Sequence, residues 1–196
     1  MNQTLGEGEV SILYAGPQVV RLQETQLAGI WRVQIQSDTE GLLSDLLEVA
    51  DIPGLVRATS FLGARDQAEQ RGELPAGVFN APSILVELND KVLSYRSGDE
   101  AHVVNLTLLP QTEQDLAYLD ERLGTGPMSI LSRGYGNCRI IATELNRVWW
   151  VQHFNSEEKL IVNTLEVVDI PTAALAAQED IEDSTERLAE ILDALR

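Results

Sequence analysis

Few side chains in this sequence could make or break bonds, and that scarcity is the first constraint on function. One cysteine, Cys138, and two histidines, His102 and His153, are the only thiol and imidazole groups. Structural zinc usually takes four ligands of those types, so neither a self-contained zinc site nor an iron–sulfur site is expected, and the sequence assigns no metal and no cofactor. A lone cysteine allows no internal disulfide and fits a reducing compartment. Cys138 follows Asn137 and precedes Arg139, whose charge could favour the thiolate. Two readings of it stay open: a transient contact with a metal or a partner thiol, and a small buried apolar residue. His153 reads as a core-facing, hydrogen-bonded histidine, since use as a base would need a carboxylate neighbour. Gly6-Glu7-Gly8, Gly124-Thr125-Gly126 and Gly134-Tyr135-Gly136 carry G-x-G without the extension to G-x-G-x-x-G and read as turns. P-loop, G-x-S-x-G, H-E-x-x-H and calcium-loop spacings are absent from the sequence. The pattern points to a binding protein. A small cytosolic enzyme using Cys138, Arg139 and His153 is the alternative, and a purely bridging scaffold module is another.

The charge narrows the partners. A formal net charge of −17 over 196 residues repels phosphate backbones, and the few Lys and Arg are scattered, so nucleic acid and anionic membranes are excluded as expected partners. A basic peptide or basic protein surface would be steered towards the chain, although the charge also serves solubility. No stretch approaches the roughly 18 apolar residues of a membrane span, and the first residues, Met1-Asn2-Gln3-Thr4-Leu5-Gly6-Glu7-Gly8, have neither a basic nor an apolar run, so a cytoplasmic location is expected. With 44% apolar residues the chain can bury one sizeable core or two modest ones.

The elements that must hold these residues emerge when the chain is laid over itself. Shifted by 118 positions without a gap, residues 5–53 match residues 123–171 at 21 of 49 positions, where composition alone would give about 3. Ser11-Ile12-Leu13 matches Ser129-Ile130-Leu131, Arg21 matches Arg139, Trp31 matches Trp149, and Asp51-Ile52-Pro53 matches Asp169-Ile170-Pro171. The sequence therefore predicts an α+β fold made by tandem duplication of a four-stranded antiparallel meander with covering helices, the copies related by a pseudo-twofold. The repeats are 1–98 and 99–196, with a turn-rich insertion near 70–82 in the first and an extra strand and helix ahead of the second.

Reading each segment twice settles ambiguous ones. Leu42 to Val49 could pass for a helix by its leucines, but the matching Leu160 to Val168 is β-branched, so both read as strands. Strands are expected at 9–15, 18–26, 30–36 and 42–50, and at 127–133, 137–144, 148–154 and 160–168, with a further strand at 103–109. Helices are expected at 54–70, 83–96, 112–122, 172–177 and 180–196. Thr112 and Asp115 make a capping-box pattern. In the last helix Ile181, Leu188, Ile191, Leu192 and Leu195 share a face that should bury against a sheet, and 83–96 should cover the first repeat in the same way. No helix equivalent to 112–122 precedes Leu5, so the first repeat is short of one element, a parent protein continuing upstream is expected, and apolar surface should be left on that repeat.

The third strands give the candidate binding surface. Alternate residues share a face, so Trp31, Val33 and Ile35, and Trp149, Val151 and His153, form the core side. The opposite side reads Arg32, Gln34 and Gln36 in the first repeat but Trp150, Gln152 and Phe154 in the second. Two aromatics on a solvent-facing row suggest a partner-binding surface, unless the terminal helix or the other repeat covers them. The turn carrying Arg133, Tyr135, Asn137, Cys138 and Arg139 extends the candidate.

Gly134-Tyr135-Gly136-Asn137-Cys138-Arg139, Val148-Trp149-Trp150-Val151-Gln152, Asn163-Thr164-Leu165-Glu166-Val167-Val168-Asp169-Ile170-Pro171, and Glu179-Asp180-Ile181 with Asp183-Ser184 resemble the HupH/HyaF-type hydrogenase expression/formation proteins. Leu5-Gly6-Glu7-Gly8-Glu9-Val10-Ser11, Gly29-Ile30-Trp31-Arg32-Val33 and Asn105-Leu106-Thr107-Leu108-Leu109-Pro110 resemble the family's earlier segments. The resemblance implies an accessory protein for maturation of a nickel–iron uptake hydrogenase. It implies as partners the iron–sulfur small subunit precursor, before export with its twin-arginine signal, or other accessory proteins, with a homodimer possible. It brings no catalytic residue. Members usually carry an additional N-terminal region, in keeping with the missing first helix.

Overall fold

The computed structural model describes residues 5–37, 39, 41–69, 72–134 and 136–194. Nine strands form one sheet in which every pairing is antiparallel: β1 (Val10–Ala15), β2 (Val19–Glu24), β3 (Ile30–Ser37), β4 (Gly41–Val49), β5 (His102–Asn105), β6 (Met128–Ser132), β7 (Asn137–Ala142), β8 (Val148–Phe154) and β9 (Leu160–Val167). Among the described residues four helices accompany them, α1 (Gly54–Thr59), α2 (Ala81–Ser94), α3 (Glu113–Leu123) and α4 (Gln178–Ala194), with a 3₁₀ turn at Thr172–Ala174. The chain is thus a mixed α/β protein with one large antiparallel sheet and few helices.

The strand order is β4-β3-β2-β1-β6-β7-β8-β9-β5, so two meanders run outward from a central seam. At that seam Ile12 lies opposite Ile130, with Ser11 opposite Leu131 and Leu13 opposite Ser129. Local details also recur 118 positions apart. The Thr25 hydroxyl donates to the Leu27 carbonyl and accepts from its amide, as the Thr143 hydroxyl does with Leu145. Bulges fall between Ile35 and Gln36 and between His153 and Phe154. Gly8 and Gly126 sit where a Cβ would lie 2.2 Å from the Thr25 oxygen and 2.7 Å from the Thr143 oxygen, an approach only glycine permits.

Two apolar layers hold the sheet. On one face the inward residues of both meanders, including Ile12, Leu22, Trp31, Met128, Ile130, Ile140, Trp149 and Val151, pack under Ile52, Val56, Ile170 and Ala174. Phe61 stands edge-on to the Trp149 ring with centroids 5.0 Å apart. Among the described residues a helical layer covers the opposite face over β8, β9 and β5, where Ile84, Leu85 and Leu88 of α2 and Leu119 and Leu123 of α3 meet Val148, Leu165, Val167 and Val104. Each fully buried Leu or Val of this kind contributes about 1.5–3 kcal/mol.

Helix α3 starts with the expected capping box, Thr112 accepting from the Asp115 amide and the Asp115 carboxylate receiving the Thr112 amide. Asp115 also caps α2: its Oδ1 accepts from the amides of Phe79, Asn80 and Ala81 at 2.8, 2.8 and 2.9 Å. Asn80, the local cap residue, makes no side-chain cap and donates instead to the Pro110 carbonyl.

Several helix expectations require correction. The first helix stops at Thr59, since the Ser60 hydroxyl turns back to the Val56 carbonyl and the chain leaves for a bridge between Arg65 and Leu145. Only one 3₁₀ turn forms in 172–177. Helix α2 covers the second half and not the first, because it leads directly into β5, the strand that docks on β9. The strand expected at 103–109 ends at Asn105, whose side chain accepts from the Thr107 and Leu108 amides and turns the chain. Helix α4 does not bury its apolar face: Ser184 alone is buried and Leu192 is 52% exposed. It docks by its first turn, with Ile181 against Gly29, and its later apolar residues Leu188, Ile191 and Leu192 stay exposed. Leu195 lies outside the described residues.

Candidate partner-binding surface

Strand alternation and register decide which candidate residues meet. On the face opposite the main core, Asn137 pairs with Phe154, Arg139 with Gln152 and Ile141 with Trp150, so these six form one patch across β7 and β8. Arg139 is exposed, whereas Asn137, Trp150, Gln152 and Phe154 are half-buried. Leu131 of β6 continues the patch towards the seam, opposite Arg139. Arg133 is exposed in the turn after β6, its amide donating to the Glu9 carbonyl. Tyr135 lies outside the described residues.

Trp150 is held in place from below and beside. Its Nε1 donates to Asn163 Oδ1 at 2.6 Å, and its ring packs against the α2–α3 layer. The cover therefore comes from α2 and α3, not from the terminal helix. In the first half the corresponding positions are Arg32 and Asp45, which make a bidentate ion pair at 2.8 and 2.5 Å. Where positions 32 and 45 hold an Arg–Asp ion pair, the positions 118 further on hold a Trp–Asn hydrogen bond, and only the tryptophan stands out in the sequence pattern. Asn163 could have been found by asking what stands across from each changed residue.

Cys138 points to the other face, in the main core. Burial, and then the charge of Glu166, push its thiol up to about 11, so it is a neutral thiol at ordinary pH. Its Sγ lies 3.8 Å from His153 Nε2. Glu166, itself raised by burial, is held by the Thr164 hydroxyl at 3.0 Å and offset by His153. Arg139 is on the opposite side of the sheet, so it does not activate this thiol, and Cys138, Arg139 and His153 do not converge. Among the described residues no group of three His, Cys, Asp or Glu side chains is placed to hold a metal ion. No helix among them is long and apolar enough to cross a membrane.

A nine-stranded antiparallel sheet, helically covered at one end and bearing a mixed polar and aromatic patch, defines an α/β protein whose accessible chemistry lies on sheet faces and edges. Comparison with known proteins names its kind. The conserved C-terminal region of the HupH hydrogenase expression protein matches residues 1–69 and 78–195, and the chain belongs to that family. The unmatched stretch falls in the turn-rich segment near 70–82. Hydrogenase expression/formation protein HoxQ of Azotobacter vinelandii is 51% identical over 100% of this chain and 69% of its own length. HupH of Rhizobium leguminosarum bv. viciae is 43% identical over 99% of this chain and 69% of its own length. Hydrogenase-1 operon protein HyaF of Escherichia coli K12 is 34% identical over 97% and 67%. A solved structure of hydrogenase expression protein HupH from Thiobacillus denitrificans covers 59% of this chain and 96% of that one, with a TM-score of 0.52 and 25% identity.

Proposed function

We propose that this protein is a cytoplasmic accessory factor in the maturation of a nickel–iron uptake hydrogenase. In this reading it captures the iron–sulfur small-subunit precursor, or another maturation factor, before export. Family membership along nearly the whole chain is the observation that carries the reading. The neutral Cys138 thiol and the separation of Arg139 from it favour binding over catalysis. The contact surface is the β7–β8 patch of Asn137, Arg139, Gln152 and Phe154, with Trp150 at its covered edge and Arg133 beyond it.

The same reading treats 1–98 and 99–196 as diverged copies of one meander related by a pseudo-twofold through the Ile12–Ile130 pair. The recurrent threonine bonds, bulges and close glycines support it. One copy keeps the polar Arg32–Asp45 face and the other has gained the aromatic one.

The test is capture of immature small subunit, with and without its signal peptide, by the wild type and by a triple variant, Trp150→Arg, Asn163→Asp and Phe154→Gln. The triple change gives the second half the ion pair of the first. Loss of aromatic anchors typically costs about 2 kcal/mol or more, so capture should weaken more than tenfold. Unchanged capture by a folded variant moves the contact elsewhere. Capture of other accessory proteins but never of small subunit favours a bridging module.

A further inference from the structure

The two outer edges of the sheet are treated differently. At one end β5 pairs with β9, His102 opposite Val167 and Val104 opposite Leu165, and α2 and α3 close over them, leaving Leu165 and Val167 0% exposed. At the other end the matching strand is β4, whose Leu47 and Val49 stand where Leu165 and Val167 stand, and these are 46% and 80% exposed. Leu42, Leu43 and Leu46 are exposed as well. Among the described residues nothing pairs with the outer edge of β4. A long, apolar, unpaired edge is the feature that sheet proteins normally blunt or occupy.

We propose that β4 is an acceptor strand, taking an extended apolar segment of another polypeptide in antiparallel pairing, with basic residues immediately preceding the apolar run. This rests on the reading that the chain captures a protein partner, and it names a surface separate from the β7–β8 patch. The β5–β9 pair is the template. The Asn163 carbonyl accepts from the Leu106 amide and the Asn163 amide donates to the Thr107 hydroxyl, so residues 163, 165 and 167 turn their backbone groups outward. On β4 the equivalent outward groups are those of Asp45, Leu47 and Val49, in agreement with the Ala50 amide pointing inward to the Gly29 carbonyl.

The occupant's polarity follows from charge. A segment lying on β4 as β5 lies on β9 sets its N-terminal end at Val49. There the Ala176 amide donates to the Asp51 carbonyl and Ile181 packs on Gly29, so the start of α4, with Glu179 and Glu182, stands at that end, while Asp180 and Asp183 lie beside Glu9 and Glu24 of the neighbouring strands. Cations ahead of the apolar run meet the Glu179 and Glu182 carboxylates. A second copy of this chain would instead bring another formal charge of −17 against the same edge.

The test uses a fluorescent peptide of three lysines followed by alternating valine and threonine, alongside one with the lysines after the run and one with glutamates in front. Anisotropy should rank the first peptide tightest by about tenfold. Hydrogen exchange should slow at the Leu47 and Val49 amides on binding, while Leu46 and Glu48, already paired to β3, stay unchanged. Leu47→Asp with Val49→Asp should abolish binding and keep the wild-type melting midpoint, and Leu62→Asp, a change at an exposed leucine elsewhere, should leave binding intact. If the double aspartate variant binds the lysine peptide as well or better, attraction is charge alone and the proposal falls. It also falls if light scattering shows a dimer that the double variant splits, since the edge then serves a second copy. Capture of small subunit without peptide binding or Leu47 and Val49 protection would overturn the acceptor strand and leave the accessory function standing; absence of both would sink the two together.

Discussion

Replacing Asp115 should loosen the whole helical cover of the second half. Its side chain is completely buried and serves two helix starts at once, the three α2 amides on one oxygen and the Thr112 amide, at 3.2 Å, on the other. In Asp115→Ala the Ala81 amide is left buried and unpaired, at a cost of about 1–3 kcal/mol. Loss of the capping box adds about 1 kcal/mol. Phe79 and Asn80 are exposed enough for water to take over their amides, so they add little. The sum is about 2–4 kcal/mol, a large share of the 5–15 kcal/mol typical of a domain. Asp115→Asn keeps one acceptor oxygen but sets an amide or a neutral oxygen against Thr112, and should cost about 2 kcal/mol. Urea unfolding followed by tryptophan fluorescence measures both. The pH dependence adds a second check. The amides of Ala81, Thr112, Phe79 and Asn80 outweigh the effect of burial and hold the carboxyl at about 2, so its contribution is full above the ordinary carboxylate value, near 4, and disappears as pH falls towards 2. The gap between wild type and Asp115→Asn should stay constant from pH 7 to about 5 and close below about 4. A cost under 1 kcal/mol for Asp115→Ala would refute this account of the double cap.

Three further outcomes are expected. Burial, helped by nearby Glu9 and Asp180, raises the Glu24 carboxyl. The stability tied to its protonated form is therefore complete below the ordinary value and lost as pH rises through the raised one, so Glu24→Gln should raise the melting midpoint at pH 7 and lose that advantage near pH 4. Native Cys138 should resist a thiol reagent at pH 8, where a pKa of about 11 leaves roughly one thiolate in a thousand, and should react at once in urea; rapid native labelling would contradict its burial. Gly8→Ala and Gly126→Ala should each lower stability by about 2 kcal/mol or more, because the new methyl meets a backbone oxygen that cannot swing aside; a neutral effect at either would show that the strand there has room to shift.

All eight meander strands could be read from the chain, to within a residue or two at most ends, because segments 118 positions apart in sequence can be read against each other. Leu42 to Val49 alone is ambiguous, and Leu160 to Val167 decides it. What occupies each face could not be read. Periodicity in α4 and in 83–96 identifies an apolar side but carries no information about which sheet surface is still vacant, and that depends on chain connectivity, here the short route from α2 into β5. For the same reason the sequence left open whether the terminal helix or the other repeat covers Trp150, and the structure puts α2 and α3 there. Asp115 was legible as a local cap through its spacing from Thr112, but its larger task, closing a helix start 34 residues away, is a tertiary fact. Cys138 and Arg139 looked like partners because they are adjacent in sequence, and adjacency in a strand places them on opposite faces.

The seam between β1 and β6 shapes how the chain is made. During synthesis β1 can pair with β2 as soon as both emerge, but its other edge must wait for Met128–Ser132, roughly a hundred residues later, which at ribosomal speed is about 5–20 s. For that interval the nascent half-sheet has two open edges, β1 and β4. Ser11 opposite Leu131 and Leu13 opposite Ser129 around Ile12 is a pattern that two β1 strands from neighbouring ribosomes reproduce, Ser11 against Leu13. A fragment ending before β6 should dimerise through β1 for the same reason.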